Sequence, residues 1–289
     1  MPIRKIVRWV VVAGVLAAGS GCSNQPDITA GRWFRPKEPV QVSFVAADGS
    51  DRAESARPVG APLALDINNQ RGSVWVEVDP DLEAPVLEAI ASWEPEQTRA
   101  DWPGELGPAR VSAIESVESA AGWVLRVDGE LLGDPPYDSR VDLRLRVPRC
   151  DGINVENDGG PIVMVGVSGM ITAVNGANNG RGGRIELRTD EPLVDPVALV
   201  TTQGRVSAVI APESRGIIEL DSEGGDAEFE SEWGTFTEVR PGIRRYRAVW
   251  NGGSNPIIAR SGGGDVHVQV QEAPERWSVA DDWLALIGR

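Results

Sequence analysis

The sequence predicts an all-β chain built as a β-solenoid, and three observations predict it. Apolar and polar residues alternate in short runs, as in "SRVDLRLRV", where Val141, Leu143, Leu145 and Val147 share one face. The pattern glycine-x-apolar-x-apolar recurs at Gly72, Gly160, Gly169, Gly183, Gly204, Gly225 and Gly264. Gly183, Gly204 and Gly225 are 21 residues apart, and Gly225 to Gly264 is 39, close to two such units. A fixed period near 20 residues marks a stacked repeat, and one period has room for two or three short strands.

Each glycine then sits at a corner, where either a positive φ or close stacking between coils excludes a Cβ. The second and fourth positions after it point inward and are apolar in all seven cases. The third position points outward and varies freely: Trp75, Val163, Thr172, Glu186, Ser207, Glu228 and His267. A slip of one residue would turn the apolar row to water, so the register is well specified. The competing reading is a β-sandwich whose hairpin turns contain glycine, with "SEGGD" (222–226) and "NGG" (251–253) as hairpin signals. Over 151–271 the period favours solenoid repeats. Over 40–150 a single glycine strand supports them, and whether that part is a separate domain stays open.

Residues 1–21 form an address. Arg4, Lys5 and Arg8 precede the short apolar run "VVVAGVLAA" and the small residues "GSG", which lead to Cys22. This is a secretory signal ending at a cysteine. It resembles a bacterial lipoprotein signal, which implies lipidation of Cys22 as the mature N-terminus, although Gly19 stands where that pattern usually has Leu, Val or Ile. Ordinary signal cleavage with Cys22 incidental is the alternative. Residues 22–39 read as the lipidated cysteine and a tether, with no sustained period and three prolines after Cys22.

In the region 40–150, "PLALDINN", "GSVWVEV" and "GWVLRV" read as strands. "APVLEAIASW" is ambiguous between strand and short helix, and 94–108 is a loop by its prolines and glycines. In 272–289 a short helix is expected. Ser278 with Asp281 fits a capping box, and Ala280, Trp283, Leu284 and Ile287 share one face. It is expected to cap the open end of the solenoid, with partner docking as the rival role.

The chain resembles the putative-adhesin β-strand-repeat family, a bacterial domain of unknown function. The carriers are "INNQRGSVWVEV", "LRLRVPRCDGINVENDGGPIVMVGVSGMITA", "LVTTQGRVSAVIA", "ELDSEGGDAEFE" and "IARSGGGDVHVQV". The family hallmark falls on Pro148, Asn157 and Gly160 to Ile171. The resemblance implies a right-handed single-chain parallel β-helix with irregular N-terminal coils, membrane-tethered or secreted. It carries no catalytic residues to transfer.

The chemistry is sparse. The chain of 289 residues has 28 basic and 43 acidic residues, and removing the leader leaves a net charge of −18. Such a surface repels nucleic acid and anionic headgroups. With Cys22 acylated, Cys150 has no disulfide partner and is expected to be a buried, unreactive thiol. His267 is the single histidine, no nucleophile elbow surrounds a serine, and no phosphate-binding glycine loop is present, so no catalytic, cofactor or metal site is assigned. The run "DAEFESE" places Asp226, Glu228, Glu230 and Glu232 on one strand face. That row could hold Ca²⁺ only with ligands from a neighbouring coil; otherwise it is a solvated face.

The expected function is therefore non-catalytic: a lipid-anchored envelope protein, at the outer membrane or cell surface, acting as adhesin or scaffold. Its expected partners are the membrane, through the anchor, and a protein or glycan. Ser23 after the cysteine, by resemblance to sorting in two-membrane bacteria, favours the outer membrane. The alternative is a polysaccharide-binding or polysaccharide-cleaving β-helix, for which an exposed Trp75 would be the hint.

Overall fold

The computed structural model describes residues 40–42, 45–46, 63–92, 109–118, 122–132, 139–178 and 180–274. The leader with Cys22, the tether, the loop 94–108 and the helix expected in 276–289 lie outside the described residues.

All the described strands fall into two sheets. Sheet I contains β1 (Val40–Val42), β4 (Val74–Val78), β5 (Val86–Ser92), β8 (Arg140–Val147), β10 (Ile162–Val165), β12 (Ile185–Thr189), β14 (Val206–Ile210), β16 (Ala227–Glu230) and β20 (Val266–Val270). Sheet II contains β2 (Val45–Ala46), β3 (Leu63–Asn69), β6 (Ala109–Glu118), β7 (Gly122–Leu131), β9 (Asp151–Asn157) and β11 (Ser168–Asn175). It continues with β13 (Val197–Thr201), β15 (Gly216–Ser222), β17 (Phe236–Arg240), β18 (Arg245–Trp250) and β19 (Pro256–Ser261). The ambiguous segment "APVLEAIASW" is a strand, β5.

The chain crosses from sheet II to sheet I and back, so one strand of each makes a rung. The rungs stack in the order β7–β8, β3–β4, β9–β10, β11–β12, β13–β14, β19–β20, β15–β16, and every ladder between them is parallel. Antiparallel strands flank the stack: β5 on β8 and β6 on β7 at one end, β18 on β15 at the other.

The rung order is not the chain order. Gly204 and Gly225 are not neighbours, because β19–β20 is inserted between their rungs and Gly264 stands between them. At the other end, Gly72 lies directly beside Gly160 although 88 positions separate them. Gly169 belongs to the other sheet, where it is the second residue of β11 and stacks against Gly152 at a φ of +74°. This explains the irregular spacing around it. "SEGGD" is the arch between β15 and β16, which lie in different sheets, and "NGG" joins β18 to β19 across β15. Neither is a two-strand hairpin.

The apolar rows meet inside. The second and fourth positions after the seven glycines are buried, with Phe229 alone half-buried. They join Leu65, Ile67, Ile153, Val155, Leu199 and Leu220 of sheet II in one core. Each fully buried aliphatic side chain contributes about 1.5–3 kcal/mol. The last rung is closed by an aromatic cluster in which Phe229 contacts Phe236, Tyr246 and Trp250, with ring centroids 5.5, 5.6 and 5.8 Å away.

The corner from sheet II to sheet I has two registered columns. One is Gly72, Gly160, Gly183, Gly204, Gly264 and Gly225. A Cβ on Gly160 would lie 2.6 Å from the Gly72 carbonyl oxygen, and one on Gly183 2.5 Å from that of Gly160. Apart from Gly72, these glycines have no positive φ, so close stacking is what excludes a side chain. The other column is buried and polar: Asn69, Asn157, Asn175, Thr201, Ser261 and Ser222. These side chains serve the glycine backbone. Asn157 Nδ2 donates to Gly72 O and Gly160 O at 3.0 and 2.9 Å. Thr201, Ser261 and Ser222 hydroxyls donate to Gly183, Gly204 and Gly264 carbonyls at 2.8, 2.6 and 2.9 Å.

Two outcomes are expected from urea unfolding. Gly204→Ala overpacks the corner and lowers stability by about 1–3 kcal/mol, while Ser207→Ala on the outer face stays within about 0.5 kcal/mol. Asn157→Ala removes the donor to two buried carbonyls and the acceptor for Asn69, and costs about 1–3 kcal/mol.

Candidate functional site

The richest chemistry on the outer surface of sheet I lies at its β16 edge. In parallel register, Glu228 of β16 stands opposite His267 of β20, which stands opposite Ser207 of β14. All three occupy the outward third position after their glycines. Glu230 lies two residues along from Glu228, and its carboxylate is 3.3 Å from His267 Nε2. The strand ends at Glu230, so Glu232 falls in the following turn and not in the expected row.

Glu228, Glu230 and His267 each offer one ligand atom, all within 4.8 Å of one another. The neighbouring coil thus supplies an imidazole and not further oxygens. Two carboxylates and one imidazole suit a borderline ion such as Zn²⁺ better than Ca²⁺, which takes six to eight oxygens. The sequence carried this signal: Glu228 and His267 hold the same offset from Gly225 and Gly264. Ser207, His267 and Glu228 also form a line resembling a nucleophile, base and acid. No hydrogen bond joins Ser207 to His267, so the line is not wired as a relay.

Next to it, at the starts of the interior strands β14 and β20, lies a charge pair. Arg205 lies 3.3 Å from Asp265. The backbone N–H of Asp226, and then the Arg205 guanidinium, hold the Asp265 carboxyl below its ordinary value. On the edge strand itself, Glu228 and Glu230 oppose pairing with another sheet. Beside it, the end of β17 and its turn into β18 present a different surface. Ile243 is 79% exposed and Val239 46%, next to Arg240, Arg244 and Arg245. It is a basic, apolar projection on an acidic protein.

Other residues singled out in the sequence have other roles. Trp75 points outward but is 1% exposed, packed with Ile90, Val163 and Val165 in a second small cluster. It is therefore no surface platform for a sugar. Cys150 is buried and free, and donates weakly to the Gly152 carbonyl at 3.5 Å. Burial pushes its thiol up to about 12. Asp142 is fully buried beside Ile90. Burial raises its carboxyl pKa, against the opposing pull of Arg140 and the Ser73 N–H.

No family model matches the chain, and no curated protein matches it. Among solved structures it is similar to a "putative cell adhesion protein" from Clostridium sporogenes. The match has a TM-score of 0.50 at 11% identity and covers 81% of this chain and 100% of that one. A second match, a "putative adhesin" from Bacteroides fragilis, has a TM-score of 0.30 at 10% identity, covering 73% of this chain and 93% of that one. The first likeness shows the fold.

Cys150 supplies a direct check on the interior. Iodoacetamide at about pH 8.5, where a free thiol is half ionised, should leave the Cys150 peptide unmodified until urea unfolds the chain, as read by mass spectrometry. Rapid labelling of the folded protein would place the thiol at the surface.

Proposed function

We propose that the chain is a non-catalytic, lipid-anchored protein of the cell envelope that presents its strand stack as an adhesive or scaffolding surface. The observation that carries this reading is the fold shared with the "putative cell adhesion protein" of C. sporogenes, a likeness that extends over the whole of that chain. On this reading the two sheets are the walls of a β-helix with two strands per coil. Its hand is right, the hand that parallel crossovers adopt. The stack of rungs is then a rod about 29 Å long from strand spacing alone. The anchor is a lipid on Cys22, behind the leader of residues 1–21, and Ser23 directs it to the outer membrane. A multiply acylated cysteine holds firmly where a single chain would not.

The contact surface in this proposal is the β16 end, where the acidic edge and the projection of Ile243 and Val239 lie side by side. A protein partner suits exposed aliphatic side chains flanked by arginines better than a glycan does. The polysaccharide reading loses its hint with the burial of Trp75.

Radiolabelled palmitate is expected to enter the wild-type chain in cells and not Cys22→Ala, which should move from the membrane to the soluble fraction. A wild-type chain that takes up no label would overturn the anchor. Beads coated with the protein should capture cells, and Ile243→Asp with Val239→Asp should abolish capture without changing the circular dichroism. Equal capture by that variant would overturn the assigned contact surface.

A further inference from the structure

The outer face of sheet I is not uniform. From β16 to β12 its outward residues are polar or half-buried. At β10, β4 and β5, beside the charged Glu77, Arg144 and Glu88, they include Val163, Val165, Trp75 and Ile90, which are 1%, 8%, 1% and 1% exposed. These side chains point away from the core between the sheets, and they form a cluster distinct from it. No described strand covers them, because all the described strands lie within the two sheets. The buried carboxylate of Asp142 stands opposite Ile90 at the margin of the same patch.

The path of the chain up to Pro274 points toward this patch. After β20 the backbone does not continue toward β16 and the end of the stack. Pro274 turns back over the outer face, where it and Gln271 line one groove with Gln269, Val209 and Arg188. Those three are outward residues of β20, β14 and β12, in that order across the sheet. The next strand in the same direction is β10, with Val165 level with Arg188 and Val163 beside Glu186. The one after that is β4, with Trp75.

Fifteen residues follow Pro274, and their pattern puts Ala280, Trp283, Leu284 and Ile287 on one helical face. A ten-residue helix is about 15 Å long. Three strand spacings, from β12 to β8, come to about 14 Å. We propose that residues 278–287 lie across the outer face of sheet I, apolar side down on Val165, Val163 and Trp75, as a strap and not as an end cap. The end that a cap would cover is already filled by the cluster of Phe229, Phe236, Tyr246 and Trp250.

Hydrogen exchange on the full-length chain tests this. Peptides from 278–287 should be protected in the wild type. In Val163→Glu/Val165→Glu they should exchange at least about tenfold faster, while peptides from β11 and β13 are unchanged. Unchanged exchange in 278–287, or faster exchange in 93–108 instead, would overturn the proposal. If the double variant loses protection throughout, disulfide trapping decides. With Cys22→Ala, Val163→Cys is combined in turn with Ala280→Cys, Leu284→Cys or Ile287→Cys, and at least one pair should close within a single chain. Closure only with Leu106→Cys, closure only between two chains, or no closure would each overturn it.

Discussion

The structure depends on how closely two backbones approach at one corner. Where sheet II hands the chain to sheet I, glycine stacks on glycine with no room for a Cβ between carbonyl and Cα. Such an approach would bury carbonyl groups without partners, at roughly 1–3 kcal/mol each. The buried Asn, Thr and Ser side chains remove that cost by reaching sideways to the glycine carbonyls of their own or a neighbouring rung. The two columns are thus one device: the glycines allow the approach, and the polar ladder satisfies what the approach buries. The apolar rows of both sheets can meet because the corner holds each rung at strand spacing from the next.

This device was half legible in the sequence. The glycines and the apolar second and fourth positions stand out as a period, and their side chains lie where that period puts them. The polar half has an equally fixed position that composition alone does not announce. Asn69, Asn157, Thr201, Ser222 and Ser261 each stand three residues before their glycine. A polar residue before a glycine reads as ordinary turn chemistry, so its burial becomes visible only when the rungs are stacked. Asn175 is the exception: its turn is longer, and Gly182 and Gly183 follow it by seven and eight residues.

The order of the rungs was not legible, and the reason is physical. From β3–β4 to β15–β16 each rung presents a glycine, a small polar corner residue and an apolar inward pair to its neighbours. Nothing local tells Gly225 to pair with the rung of Gly264 and not with that of Gly204. The choice is made at the ends. There β5, β6 and β18 add antiparallel strands; at one end the chain goes back past β3–β4 to add β9–β10 on its free side, and at the other it returns to insert β19–β20 between β13–β14 and β15–β16. The burial of Trp75 was not legible for a related reason. Strand parity shows which side of the sheet a residue faces, but whether that side meets water depends on the rest of the chain.

Because the corner and the core use the glycine, the residue three before it and the second and fourth after it, the third and fifth positions are free to differ. They are Trp75 and Glu77, Val163 and Val165, Glu186 and Arg188, Ser207 and Val209, His267 and Gln269, Glu228 and Glu230, in the spatial order of the rungs. Along this series the chemistry passes from apolar to polar to acidic while the interior hardly changes. A stack built this way separates stability from function by position within the rung. Substitutions at the inward and corner positions act on folding, whereas the outer positions decide what each part of the face can meet. The acidic, imidazole-bearing end and the apolar stretch around Trp75 are therefore two surfaces carried by one repeating frame, and the role of either can change without disturbing the other.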